Sequence, residues 1–353
     1  MSENFHGGAD ALGVPAHDFS TNANSCGPCP QALLALQVAH AQQYPDPSYA
    51  ALRARLGDFH GVDAARIVLA GSASEFIHRI SAHAARSGLR RAVLPLHSYG
   101  DYAQAAHVWG LECVRPGLQE KEPFALSLSK GVLRRKEPAL HWACEPSSPL
   151  GQADPALARW QAEKGRGLRV LDCAYQPLRL AGSPSSFPAD AWQIWTPNKA
   201  LGMTGVRAAY AVAPEGAQGE AAALQALAAS WIVGAHGVAL LEAWTTPAVQ
   251  QWIADSRAQL AQWKAQQIAL CTALDWQVVP GSLANYFVAR WPAAGAPRMA
   301  ARLAWLRSAH GIKLRDAASF GLPGAVRLGV LPPASQQALG QAWHAARILD
   351  GVA

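Results

Sequence analysis

An alternation constrains the fold of this chain more than any other feature. Short apolar runs at residues 66–70, 91–96, 111–114, 139–144, 168–172, 192–195 and 208–213 are separated by helical or turn-forming segments. Strands of that length alternating with helices predict an α/β domain built on a mainly parallel sheet, because parallel neighbours need a crossover and a helix supplies it. Ligands in such sheets bind beyond the carboxyl ends of the strands. Gly71, Ser148, Asp172, Tyr175 and Thr196 all fall at or just past those ends. Downstream, a long helix over residues 247–273, strands near 277–279, 286–289, 312–315 and 326–330, and a helix near 299–310 predict a smaller α+β domain. Upstream, residues 1–30 form an irregular arm. A helix is predicted from Pro30 to about Gln43, ended by Tyr44-Pro45-Asp46-Pro47, and another over residues 48–59 with Ser48 as its N-cap. The domain boundaries that follow are 1–40 for the arm and first helix, joining the small domain, 41–240 for the large domain and 241–353 for the small one.

Composition excludes several classes. Half of the 353 residues are apolar and only 15% are charged, which excludes a disordered chain. The net charge of +6 comes from scattered basic residues, with one dense cluster at Arg134-Arg135-Lys136. No nucleic acid partner is expected, since an anionic small-molecule substrate accounts for so mild an excess. Residues 221–241 carry no charge but include Gln225, Ser230, Gly234, His236 and Gly237, and read as a buried helix pair rather than a membrane span. The polar N-terminus has no apolar signal region, so a cytoplasmic location is expected. Six cysteines should then be reduced. Cys26-Gly27-Pro28-Cys29 spells C-x-x-C, but a polar stretch precedes it where a redox motif has a strand. It reads as a turn, and without a second C-x-x-C no metal is expected.

The chemistry concentrates in Trp195-Thr196-Pro197-Asn198-Lys199-Ala200-Leu201-Gly202-Met203-Thr204-Gly205-Val206-Arg207. Lys199 follows an apolar strand and precedes a glycine-spaced loop, and Arg207 stands eight residues on. That spacing suits a lysine that forms a Schiff base and an arginine that holds a phosphate. Asp172, ending an apolar strand, is costly there unless paired, and a protonated pyridine nitrogen would pair it. Tyr175 supplies a phenol, and Gly71-Ser72-Ala73-Ser74-Glu75 opens a helix whose amides suit a phosphate. Tyr99 follows a further strand and could stack on a ring. Together these residues point to pyridoxal 5'-phosphate. Arg315 and Arg327 bracket a Gly/Pro-rich loop and suit a substrate carboxylate or phosphate.

These residues resemble the fold-type I, aspartate-aminotransferase-like pyridoxal phosphate enzymes, in the histidinol-phosphate aminotransferase branch. A closer resemblance is to the threonine-phosphate decarboxylases of cobalamin biosynthesis, carried by His6-Gly7-Gly8, Asp18-Phe19-Ser20-Thr21-Asn22-Ala23-Asn24, Tyr44-Pro45-Asp46-Pro47 and Arg315-Asp316-Ala317-Ala318-Ser319-Phe320 with Arg327. The resemblance implies that Lys199, Asp172 and Tyr175 are catalytic. It implies that Ala73, Ser74, Tyr99, Ser148, Thr196 and Arg207 bind the cofactor, with Tyr44 reaching the cofactor phosphate of a second subunit in a homodimer. His6, Gly7, Asn22, Arg315 and Arg327 would hold the phosphate and carboxylate of a phosphorylated amino acid. The branch's N-P-N-N-P-T-G loop stands here as Glu145-Pro146-Ser147-Ser148-Pro149-Leu150-Gly151, with Ser148 in place of an asparagine. The implied activity is decarboxylation of O-phospho-L-threonine to (R)-1-amino-2-propanol phosphate. The alternative is an aminotransferase acting on a phosphorylated amino acid or amino alcohol such as histidinol phosphate.

Overall fold

The computed structural model describes residues 7–116, 137–162, 167–183, 186–292 and 299–349. His6 and the basic cluster Arg134-Arg135-Lys136 lie outside them. Among the described residues the large sheet has seven strands in the order β2-β8-β7-β6-β5-β3-β4. They are β2 (Ile67–Ala70), β3 (Arg91–Val93), β4 (Glu112–Val114), β5 (Ala139–Cys144), β6 (Gly167–Asp172), β7 (Ala191–Trp195) and β8 (Ala209–Val212). The neighbours from β7 to β4 are parallel. Strand β8 runs antiparallel to both β2 and β7. Its direction places its amino end, beside Arg207, at the same sheet edge as the carboxyl ends of the others.

The sheet is covered on both faces, which is why its strands read as near-continuous apolar runs. On one face Val68, Leu140, Trp142, Val170 and Ile194 meet Phe76, Ile77 and Ile80 of the helix Ala73–Arg86, and Tyr102 and Ala105 of the helix Gly100–Val108. On the other, Leu69, Ala143, Leu171, Trp195 and Tyr210 meet Leu52 and Leu56 of the helix Ala50–His60, and Leu240, Leu241 and Trp244 of the helix Ala235–Trp244. Val170 and Leu171 serve opposite faces, the period-two alternation of a strand. No helix among the described residues is long and apolar enough to cross a membrane. The charge-free stretch divides between the helices Gln218–Ala226 and Ala235–Trp244.

The helix Pro247–Ala273 leads to a four-stranded antiparallel sheet of order β12-β13-β10-β9: β9 (Gln277–Val278), β10 (Tyr286–Arg290), β12 (Arg315–Asp316) and β13 (Ala325–Gly329). The expected strand at 312–315 is split. Its first half, β11 (Ile312–Lys313), pairs in parallel with β1 (His17–Asp18) of the arm. Leu314 separates it from β12, so one short segment ties the amino-terminal arm to this sheet. Two further expectations are corrected. The first helix ends at Gln37, not Gln43. Ala32 is its one fully buried residue, so little tertiary packing holds a further turn. Ser48 does not cap the next helix, which begins at Ala50 after Tyr49 in the left-handed region. The Asp46 carboxylate accepts from both the Ser48 hydroxyl and the Ala50 N–H, so an aspartate turn takes the place of the serine cap.

Candidate active site

Strand ends gather the site. Lys199 sits in the short helix Pro197–Ala200, launched by β7. The arm holds that helix: Asn24 N–H donates to the Lys199 carbonyl at 2.9 Å, Asn24 Nδ2 to the Ala200 carbonyl at 3.0 Å, and Cys29 N–H to the Leu201 carbonyl at 2.9 Å. Gly202 follows at φ +67, where an added Cβ would stand 2.4 Å from the Gly27 carbonyl oxygen. Only glycine lets the two segments approach so closely. The C-x-x-C segment therefore serves as a docking turn for the lysine loop. Both of its cysteines are free thiols, with Cys29 buried and burial pushing both above the ordinary thiol range.

From Lys199 a continuous set of contacts runs through both sheets. Its Nζ lies 5.4 Å from the centre of the Tyr175 ring. The Tyr175 hydroxyl accepts from Asn22 Nδ2 at 3.2 Å, and its ring meets Tyr286 edge-on at 4.7 Å. Tyr286 donates its hydroxyl to the Ser147 carbonyl at 2.8 Å. Arg327 lies 5.8 Å from the Tyr286 ring and 5.5 Å from Phe320, and Arg315 lies 4.8 Å from the other end of that chain, the Phe320 ring. Arg327 Nη2 donates to the Ser20 carbonyl at 2.8 Å, and Arg315 to the Ser319 hydroxyl and the Asp316 carbonyl. Gly7 rests on the same Ser20 carbonyl, where a Cβ would fall 2.3 Å from the oxygen.

Both arginines are at most 9% exposed, and among the described residues neither forms an ion pair with a carboxylate. Burial, then the nearby Arg327, lowers Arg315 to about 10. Two adjacent buried guanidiniums with neutral acceptors only are an electrostatic demand for an anion.

The opposite wall is formed by Asp172, Tyr99 and Ser74. Asp172 Oδ1 accepts the Ala174 N–H at 2.9 Å, the turn-capping role an aspartate at a strand end can also fill, while Oδ2 accepts the Tyr102 hydroxyl at 2.6 Å. The Tyr99 hydroxyl is 3.2 Å from Ser74 Oγ, so the expected stacking residue and the expected phosphate-side serine are neighbours. Ala73 opens its helix behind Ser72, whose side chain accepts from Glu75 N–H at 3.1 Å. His97 Nδ1 donates to the Phe320 carbonyl at 2.8 Å and so joins the loop before Tyr99 to the arginine loop.

Thr196 Oγ1, Ser98 Oγ, Asn22 Oδ1 and Arg327 Nε are buried without a protein partner. Buried polar atoms left unpaired are costly, and Thr196 at the carboxyl end of β7 and Ser98 in the loop after β3 fit a polar ligand at that sheet edge. Residues 73, 74, 99, 172, 175, 196 and 199 are compatible with pyridoxal phosphate on that ground. Ser148 is buried in the loop that follows β5. Arg207 is exposed and precedes the amino end of β8, at the sheet edge where the other strands carry their carboxyl ends. Tyr44 is 78% exposed and stacks on Trp231 at 4.4 Å.

Sequence reasoning missed Tyr102, Ser20, Tyr286, Phe320 and His97. Ser20 and Phe320 stood in stretches that carry the resemblance, and Tyr102 lies in the first turn of the helix that Tyr99 precedes. It missed also that Glu145, fully buried, forms an ion pair with Arg179 while its other oxygen accepts the Asp154 N–H at 2.7 Å.

The family model described as aminotransferase class I and II matches residues 15–345. Histidinol-phosphate aminotransferase 1 of Thiobacillus denitrificans is 28% identical over 361 residues, covering 98% of this chain and 87% of that protein. The structure of histidinol-phosphate aminotransferase from Sinorhizobium meliloti in complex with pyridoxal-5'-phosphate superposes with a TM-score of 0.75 at 22% identity, covering 92% of this chain and 90% of that one. L-threonine-O-3-phosphate decarboxylase from Porphyromonas gingivalis superposes with a TM-score of 0.70 at 20% identity, covering 93% and 98%.

Proposed function

Because the chain belongs to the class I and II aminotransferase family, whose cofactor is pyridoxal phosphate, we propose that it decarboxylates O-phospho-L-threonine. The products are CO₂ and (R)-1-amino-2-propanol phosphate, a building block for cobalamin, and the working form is a homodimer. The observation that carries this reading is the buried pair Arg315 and Arg327 without a carboxylate partner. O-phospho-L-threonine brings two anionic groups to two guanidiniums, whereas histidinol phosphate brings one. The arm adds support: Gly7 and Ser20 bear on Arg327, and Asn22 on Tyr175.

Bound pyridoxal phosphate supplies an aldehyde for the substrate amine and an electron sink for the bond that breaks at Cα. The residues of the chain do the rest. Arg315 and Arg327 would fix the substrate's carboxylate and phosphate and so orient the bond that breaks. Lys199 would carry the cofactor and hold the proton to be delivered to Cα. Asp172 would face the ring nitrogen, and Tyr175, bonded to Asn22, the ring hydroxyl. Ala73, Ser74, Thr196 and Arg207 would take the phosphate, with Tyr44 of a second copy. The exposed face of Tyr44, Trp231, Leu34 and Val38 supports that pairing.

A second reading is favoured by the curated relatives, which are named histidinol-phosphate aminotransferases. In it the same Lys199 removes a Cα proton, and a keto acid must accept the amino group. The test is carboxyl-labelled O-phospho-L-threonine with the cofactor-loaded protein. Labelled CO₂ released without a keto acid, and abolished by Lys199→Ala, is the expected result. Keto-acid-dependent turnover of histidinol phosphate without CO₂ overturns it in favour of the aminotransferase.

A further inference from the structure

Three features of the wall opposite the arginines converge on one residue that the mechanism above does not use. Tyr102 lies in the helix Gly100–Val108 and is fully buried. Its hydroxyl donates to Asp172 Oδ2 at 2.6 Å, a short bond of the charge-assisted kind. Its ring lies parallel to that of Trp142, with centres 4.5 Å apart and planes inclined by 11°. Its ring also meets Tyr99 edge-on at 5.8 Å. Trp142 is part of β5 in the sheet core, so Tyr102 is braced from behind by a rigid element. One side chain thus touches both the carboxylate expected at the ring nitrogen and the phenol expected on the ring face.

We infer that Tyr102 is the positioning residue for the cofactor ring: its hydroxyl aims the Asp172 carboxylate at the pyridine nitrogen, and its ring sets the plane of Tyr99. This rests on the reading of Asp172 as the partner of that nitrogen. A carboxylate at a strand end can rotate about its last bond. With Oδ1 held by the Ala174 amide and Oδ2 by Tyr102, rotation is blocked and both oxygens keep a lone pair for a further donor. The phenol is a dependable donor, because burial and then the adjacent Asp172 push its ionisation far above the ordinary tyrosine range. Few other side chains meet both demands from this position. Phenylalanine would keep the stack and lose the donor, and serine would lose the stack.

The experiment is a double-mutant cycle of Tyr102→Phe and Asp172→Ala, read on cofactor binding rather than turnover. Two readouts are used: the dissociation constant for pyridoxal phosphate added to the apo protein, and the visible circular dichroism of the bound cofactor, which reports ring orientation. Tyr102→Phe is expected to weaken binding about tenfold, which corresponds to ~1.4 kcal/mol, and to reduce the dichroic band. In the Asp172→Ala background the same substitution should change binding less than twofold. Equal losses in both backgrounds, or no change from Tyr102→Phe in a protein that Asp172→Ala impairs, overturn the inference and leave the reading of Asp172 intact. If Asp172→Ala itself changes neither affinity nor band, the reading of Asp172 fails instead. A cooperative urea transition of apo Tyr102→Phe shows that the core has survived. If that transition is lost, Trp142→Phe, which keeps the hydroxyl bond but loosens the brace, should then reduce the dichroic band with smaller change in affinity, and an unaltered band overturns the inference.

Discussion

Glu145 and Arg179 offer the sharpest test of how the site is held. Glu145 is fully buried and Arg179 is 7% exposed. They form an ion pair next to the end of β6 that carries Asp172, in the loop that also carries Ser148, and the Glu145 N–H donates to the Asp172 carbonyl at 3.1 Å. Removing one member leaves the other charge buried, which costs about 3–5 kcal/mol. Arg179→Met and Glu145→Gln each remove one member of the pair, so each single variant should lose about 3–5 kcal/mol. The double variant removes both charges of the pair and should recover about 3 kcal/mol relative to the sum of the singles. Urea unfolding of the apo protein at pH 7, with an unchanged m-value, measures all four. Additive single effects would refute the reasoning.

Two further outcomes follow from the structure. Gly202→Ala places a methyl group 2.4 Å from the Gly27 carbonyl and 3.0 Å from that of Asn24 at a φ of +67. The left-handed conformation costs about 1–2 kcal/mol and the overpacking about 1–3, so a urea unfolding free energy lowered by roughly 2–5 kcal/mol, together with reduced cofactor retention, is expected, and wild-type stability would count against the docking role of that turn. Lys264 in the helix Pro247–Ala273 donates to the Ser282 and Ala284 carbonyls at 2.7 Å, and burial lowers its ionisation from 10.5 to about 8. Between those values the unfolded chain binds the proton and the folded chain does not, so stability rises with pH. Wild type should gain on Lys264→Met by up to ~3 kcal/mol from pH 8 to pH 10.5, a gain fully present above the unfolded value and lost as pH falls through the folded one. A pH-independent difference between the two unfolding curves would contradict this.

What could be read from sequence, and what could not, divides along a physical line. Strands β5, β6 and β7 were legible to within a residue or so because both their faces are buried, and burial leaves an apolar run. The antiparallel direction of β8 was not, because a strand covered on both faces has the same composition whichever way it runs. The split of residues 312–315 was not, because two-residue strands are decided by their partners rather than by their own pattern. The same holds in the site. Lys199 stood out as a lysine after an apolar strand and before two glycines, a local contradiction that the proposed Schiff-base role would explain. Tyr102 and Asp172 are 70 residues apart, and Glu145 and Arg179 are 34 apart. Such bonds exist only once sheet order and register are known.

The loop Glu145-Pro146-Ser147-Ser148-Pro149-Leu150-Gly151 shows what that difference conceals. Against the branch's N-P-N-N-P-T-G it reads as a series of losses: amides gone, a shorter side chain at Ser148. In the fold the first change is an exchange. The carboxylate of Glu145 is matched by Arg179 and by the Asp154 amide, and the Ser147 carbonyl is held by Tyr286. Tyr286 in turn meets Tyr175 and lies beside Arg327. The loop is thus fixed by charge and by the small sheet. A side chain at Ser148 need not anchor the loop. The arm is docked by Asn285 Nδ2, which donates to the Asn22 and Ala23 carbonyls at 3.0 and 3.1 Å. On the proposed reading, substrate choice would rest with the arm and the small sheet acting together, so that in assays of O-phospho-L-threonine against histidinol phosphate a change at Ser148 alone should alter it less than a change at Asn285, and the reverse order would contradict this.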